Sequence, residues 1–210
     1  SHYRPPLEII HRWLPRVSHM AVKVSPGVDY EELPPGAEIE FISERGAVKE
    51  GVLWFGDLST GAGRRATLLP GEETLTDEPP PAIPVRPPSA FLYEPDGAVI
   101  RAHLVEQLAG RLGAAKVDRD IAYLTADALV VTPFARAYAL EDLLPFNLKK
   151  LRAYLRARGI GRVVVKKRGS PLDPDELIRR LKLRGDEERV LFLTRVDGRP
   201  SVLVGRQVAT

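Results

Sequence analysis

Between Gly71 and Pro88 the chain carries Pro79, Pro80, Pro81, Pro84, Pro87 and Pro88 together with Glu72, Glu73, Asp77 and Glu78. Proline fixes its own φ and has no backbone N–H to donate, so a run this dense forms neither a helix nor a central strand. The stretch therefore reads as a linker and a domain boundary, and what lies on either side folds as separate small units. A length of 210 residues agrees, admitting one large domain or two to three small ones.

Before the linker, Pro5 and Pro6 suit the first turn of a helix whose apolar stripe is Leu7, Ile10, Trp13 and Leu14. His19 to Val24 reads as a buried strand, closed by a turn at Ser25-Pro26-Gly27. Ile39 and Phe41 alternate with Glu38 and Glu40, Glu44-Arg45-Gly46 turns the chain, and Ala47 to Phe55 returns it as a hairpin. A strand at Ala66–Leu69 follows. After the linker, Ala90 to Tyr93 is a short strand, and Pro95 opens a helix buried through Val99, Ile100, His103, Leu104, Leu108 and Leu112 and closed by Gly113. Ala122–Thr125 and Leu129–Thr132 read as strands, and alternation favours a strand over Phe134–Leu140. A helix from Asn147 to Arg158, a strand from Arg162 to Lys166 and a helix capped by Asp173 with Pro174 at its first position come next. A hairpin turning at Asp197-Gly198 ends the series. The succession predicts mixed α/β (α+β) architecture in separate units.

The helix at 147–158 and the strand after it hold Lys149, Lys150, Arg152, Arg156, Arg158, Arg162, Lys166, Lys167 and Arg168, with no acidic residue between them. The formal net charge is only +3, so this density is local. A block of one sign is what a polyanion meets, because each cation near a phosphate releases condensed counterions. A solvated helix face followed by a basic turn produces the same sequence. Phe146 and Tyr154 are the aromatics nearby, too few for single-strand stacking, so structured RNA read by shape and backbone suits the block better.

Other chemistry has little to stand on. The chain has no cysteine, and His2, His11, His19 and His103 show no metal-ligand spacing. Cysteine absence fits a reducing, cytoplasmic setting. No apolar run reaches the ~20 residues of a membrane span. Gly61-Ala62-Gly63 lacks the third glycine of a dinucleotide loop, no Walker loop is present, and no Ser-His-Asp set can be nominated. Catalytic and metal residues are thus not assigned. Glu38, Glu40, Glu44 and Glu50 cluster around the first hairpin; paired carboxylates suit general acid–base work, but on the outer face of a hairpin they read as solubilising charges, and Lys23 as snorkelling or pairing with one of them. Glu94 and Asp96 suit a helix N-terminus, with Arg101 placed to pair back to either.

Several short segments in fixed order carry a resemblance: Val22-Lys23-Val24-Ser25-Pro26-Gly27, Glu38 to Ser43, Lys49 to Trp54, Arg64-Arg65-Ala66-Thr67, Leu92 to Ala98 and Val165 to Gly169. In these the chain resembles bacterial class I S-adenosylmethionine-dependent methyltransferases with a ferredoxin-like unit and a C-terminal THUMP-like domain. The resemblance implies that 1–70 is the end of a Rossmann-like methyltransferase sheet, 71–88 the linker, 89–133 a ferredoxin-like βαβ unit and 134–210 a THUMP-like domain. The family's cofactor-binding glycine motif is not in this chain. S-adenosylmethionine would then be bound by the full-length parent, with neither cofactor binding nor catalysis by this chain alone.

THUMP-like modules imply RNA, here structured tRNA or rRNA held by the basic block. A protein-interaction or architectural module with a solvated basic face is the alternative. A truncated sheet would leave the His19–Val24 strand without a parallel neighbour, which implies a homodimer through that edge. Ser1-His2 reads as a tag remnant, and the abrupt opening at Tyr3 as the middle of something larger.

Overall fold

The computed structural model describes residues 3–208; Ser1 and His2, with the tag reading placed on them, lie outside these, as do Ala209 and Thr210. The chain divides into two compact units, one from residues up to 81 with 96–110, the other from 82–95 with 111 onward. Both combine mixed sheets with helices, the α/β class expected.

In the first unit, α1 spans Ile9–Trp13 and β1 Met20–Val24, followed by β2 Glu38–Glu44, β3 Ala47–Phe55, β4 Arg64–Leu69 and β5 Glu73–Thr76. The sheet order is β1-β3-β2-β4-β5. Hairpin β2–β3 turns on Arg45 and Gly46, both at positive φ, the geometry two-residue hairpin loops require. β2 and β4 run parallel, and the other pairs are antiparallel. Ile39, Phe41, Leu53 and Ala66 are buried on one face. α2, Gly97–Arg101, lies on β2, β3 and β4 there and buries Ala98 and Val99. A side chain at Gly97 would collide with Val48, 2.5 Å away, so glycine sets how closely α2 approaches.

Several expectations change. β1 is an edge strand whose partner is β3, antiparallel, and Ala21 and Lys23 on it are exposed rather than buried. Lys23 pairs with Glu50, as one reading held. Trp13 is 42% exposed, because α1 is too short to bury a stripe beyond Leu7 and Ile10. The proline-rich stretch contains β5, at the sheet edge, where a strand needs only one partner. Arg101 pairs with neither Glu94 nor Asp96. Asp96 is instead committed to Ala98 N at 2.8 Å as the α2 cap, and Arg101 donates to the Val28 carbonyl at 2.7 Å. The helix expected from Pro95 to Gly113 is broken: α2 ends, His103 takes φ 56°, and α3, Val105–Leu112, begins anew.

The second unit adds β6 Phe91–Pro95, β7 Ala115–Lys116, β8 Leu124–Ala126, β9 Ala135–Pro145, α4 Leu148–Ala157, β10 Ile160–Lys167, α5 Pro174–Leu181, β11 Glu187–Val196 and β12 Arg199–Gln207. They form a seven-stranded sheet in the order β10-β11-β12-β9-β6-β8-β7. Only β10 and β11 are parallel, joined through α5. Leu129–Thr132 forms no strand. Its Val130 amide is instead bound by the hydroxyl of Tyr93 at 2.7 Å. Val85 of the proline-rich stretch bridges to Lys116 of β7.

Both faces of this sheet are covered. Leu151, Leu155, Leu177 and Leu181 from α4 and α5 pack with Ile160, Leu191 and Leu193 on one side. Val117, Ile121 and Tyr123 close over Tyr138, Phe192 and Leu203 on the other. Two-sided burial explains why Val190–Leu193 reads as one unbroken apolar run.

The sheet is also strongly curled. Lys166 on β10 reaches Glu94 on β6 at 2.6 Å, although β11, β12 and β9 lie between them. Strands spaced ~4.8 Å apart would hold β10 and β6 ~19 Å apart in a flat sheet, beyond the reach of these two side chains.

Candidate nucleic-acid interface

Asn147 opens α4 by accepting from Lys150 N at 3.0 Å, and Leu151 and Leu155 turn its apolar face to the sheet. The first turn then carries Lys149 and Lys150 and no acidic residue. Cations at the positive end of a helix dipole are unfavourable by a few tenths of a kcal/mol, a cost that an arriving anion removes. Both lysines are exposed and have no ion-pair partner among the described residues.

α5 is built with the opposite bias. Asp173 caps it by accepting from Glu176 N at 2.8 Å, Asp175 and Glu176 fill its first turn, and Arg179 and Arg180 its last. Its final carbonyls are claimed by α4: Arg152 donates to the Arg180 carbonyl, and Arg156 to the Lys182 carbonyl at 2.7 Å. Helix ends leave such carbonyls unsatisfied, and arginine satisfies them while bringing charge to the seam. The result sets Arg152 and Arg156 of α4 against the backbone of Arg180 and Lys182 at the end of α5, with Lys149 and Lys150 in the first turn of α4 and Arg184 shortly beyond α5 in the chain. Arg180 also meets Glu176 at 3.4 Å, whereas Arg179, Lys182 and Arg184 are exposed and have no ion-pair partner among the described residues. These α5 cations were not nominated from sequence. The acid-to-base gradient along Asp173–Arg184 was the available signal.

The remaining residues of the basic block diverge from that seam. Arg158 lies over the Tyr154 ring, 3.7 Å from its centroid, and near Asp142. Arg162 donates to the Asp186 carbonyl at 2.9 Å and faces Glu188. Lys166 is spent on Glu94, which also accepts from the Tyr138 hydroxyl at 3.2 Å. Burial first, and then the Glu94 carboxylate, pushes the Tyr123 phenol up to about 12 and raises Tyr138 further. Arg168 stacks on Tyr123 at 5.2 Å. Lys167 is exposed and has no ion-pair partner among the described residues.

Two of the four hairpin carboxylates, Glu38 and Glu40, depart from the expectation that they are solubilising charges, whereas Glu44 is exposed and Glu50 pairs with Lys23. Glu38 and Glu40 are 2% and 6% exposed. Arg65 Nη2 meets Glu40 at 3.1 Å, and its Nε lies 3.2 Å from Glu38, off the line of a hydrogen bond. Trp54 Nε1 and the Thr67 hydroxyl donate to Glu40 at 2.9 and 2.5 Å, while the Ser59 hydroxyl and Thr60 amide donate to Glu38 at 2.7 and 2.5 Å. Both Glu40 oxygens and Glu38 Oε2 accept hydrogen bonds, and Glu38 Oε1 has only the Arg65 guanidinium beside it, so the cluster ties β2, β3 and β4 together as a buried ion-pair network. Gly61-Ala62-Gly63 runs from a 3₁₀ turn into β4, not from a strand into a helix, so it is no phosphate loop.

Residues 135–207 match the THUMP domain-like family. Over 181 residues, 84% of the chain, it is 40% identical to a Mycobacterium tuberculosis CDC 1551 protein named an uncharacterized S-adenosylmethionine-dependent methyltransferase. The counterpart in strain H37Rv gives the same figures. The match takes in 50% of each relative, so the chain spans about half the length of the curated relatives it matches. A crystal structure of a candidate methyltransferase from Porphyromonas gingivalis W83 superposes with a TM-score of 0.80 at 24% identity, over 98% of this chain and 55% of that one.

Proposed function

Given that this chain carries a THUMP-like domain and is a relative of bacterial proteins named S-adenosylmethionine-dependent methyltransferases, we propose that it is the RNA-holding part of such an enzyme. The observation that carries this is the seam where Arg152 and Arg156 of α4 bind the last carbonyls of α5, on helices whose Lys149, Lys150, Arg179 and following Lys182 and Arg184 are exposed with no ion-pair partner among the described residues. The ligand is the backbone of structured RNA, tRNA or rRNA, in a cytoplasmic setting. In this proposal S-adenosylmethionine binding and methyl transfer reside in the parent enzyme, in parts its relatives have and this chain does not cover. The described residues supply no glycine-rich strand-to-helix turn for the cofactor.

The test separates exposed cations from structural ones. Replacing Lys149 and Lys150 with Ala, and Lys182, the left-handed C-cap of α5, with Asn, which tolerates that backbone, leaves the caps and the Glu94 pair intact. Each lost phosphate contact reduces the slope of log K against log salt by about 0.7–0.9. The triple variant is therefore expected to bind bulk tRNA more weakly at low salt, with a slope shallower by about two units. Unchanged affinity and slope would return the surface to the architectural reading. There the basic face meets an acidic protein or only solvent.

A second proposal rests on β1, which ends its sheet with one side unpaired. Pairing of two such edges gives a homodimer. Light scattering at high protein concentration is expected to report twice the 23.2 kDa chain mass, and a strictly monomeric result would end the idea.

A further inference from the structure

An aromatic column in the first unit starts in its core and stops at an open ring. Phe41 is fully buried, Tyr30 lies 6.2 Å from it, and His103 stacks on Tyr30 with centroids 4.4 Å apart and planes 16° from parallel. Tyr30 is fixed in place, because its hydroxyl donates to the Arg101 carbonyl at 2.7 Å. His103 is exposed, and neither imidazole nitrogen has a hydrogen-bond partner among the described residues. The residue also holds a left-handed backbone at φ 56°, uncommon outside glycine, in the break between α2 and α3. Two guanidiniums flank it. Arg64 donates through Nη1 to the His103 carbonyl at 3.3 Å and through Nε to Asp77, leaving Nη2 uncommitted. Arg101 lies over Phe41, 5.2 Å from the centroid.

A ring held flat, exposed on its outer face and unbonded at its edge is what an unstacked nucleobase extends. RNA is commonly read this way, by bases splayed onto aromatic side chains with arginine beside the phosphate. We propose that His103 is a stacking platform for one unpaired base of the RNA, with Arg64 beside the adjoining phosphate. Burial, then the charges of Arg64 and Arg101, lowers the His103 pKa, which keeps the imidazole neutral and favours stacking over phosphate pairing. This deepens the RNA reading given above and rests on it, but it calls on a different unit and a different kind of contact.

The test compares salt-titrated binding of unfractionated tRNA to the intact chain and to two variants. His103→Asn removes the ring with a residue that tolerates positive φ, and His103→Phe restores a flat ring. Stacking on one aromatic is worth about 1–3 kcal/mol, or roughly fivefold to a hundredfold in affinity. His103→Asn is expected to lose at least about fivefold with the salt slope unchanged, since a neutral ring releases no counterions. His103→Phe should recover most of that loss. Binding by His103→Asn equal to the unaltered chain overturns the platform while leaving the basic seam standing. Absence of tRNA binding by the unaltered chain overturns both.

Discussion

Replacing Arg65 with Met is expected to destabilise the first unit by about 3–5 kcal/mol, the cost of breaking a buried charge network by removing one partner. Glu38 and Glu40 sit on alternate positions of β2, so their side chains share one face, and Arg65 is placed directly across from Glu40 on β4. One guanidinium thus serves two carboxylates that have almost no contact with water. Without it, the hydrogen bonds from Trp54, Thr67, Ser59 and Thr60 remain, but two negative charges face each other without a cation. Chemical denaturation followed by Trp54 fluorescence checks this. The expectation includes a second arm, in which the same change made in a Glu38→Gln, Glu40→Gln background costs much less. An Arg65→Met protein within about 1 kcal/mol of the original would show that water reaches these carboxylates.

Phe192→Ala should cost the second unit a similar amount, about 3–5 kcal/mol, for a different reason. Phe192 is fully buried on β11, and its ring meets Tyr123 at 5.5 Å and Tyr138 at 4.8 Å, both nearly edge-on. Edge-to-face pairs add about 0.5–1.5 kcal/mol beyond the area they bury. The same ring fills the concave side of the curled sheet, so its loss also loosens the curvature that brings Lys166 to Glu94. Phe192→Leu retains most of the apolar contact and should cost distinctly less. Equal costs for Ala and Leu would mean that the aromatic geometry, not the filled volume, is what holds the curl.

The local structure was mostly legible in the sequence because it depends on neighbours along the chain. Asn147 and Asp173 cap the helices they precede, and Arg45-Gly46 and Asp197-Gly198 make the turns their composition demands. The strand favoured over Phe134–Leu140 exists and continues to Pro145. Features set by distant partners were not legible. Alternation at Glu38 and Glu40 looks like a solvent face until Arg65, Trp54 and Thr67 arrive on the same side. The break at His103 interrupts a helical stripe: His103, expected on the buried face, is exposed, while Leu104 and Leu108 beyond it are buried as the pattern demands. The basic block was visible as charge, but its division was not. Lys166 is withdrawn by the sheet's curl, while α5 contributes cations that the linear block stops short of.

We propose that the seam of α4 and α5 holds RNA by its phosphates. The most direct measurement is the affinity of the unaltered chain for bulk tRNA across a salt series. Engagement of about four phosphates predicts a slope of log K against log salt of about −3 to −4, with micromolar binding at the low end. Affinity that is undetectable at low salt, or that does not change with salt, would contradict the account and leave the basic seam a solvated surface.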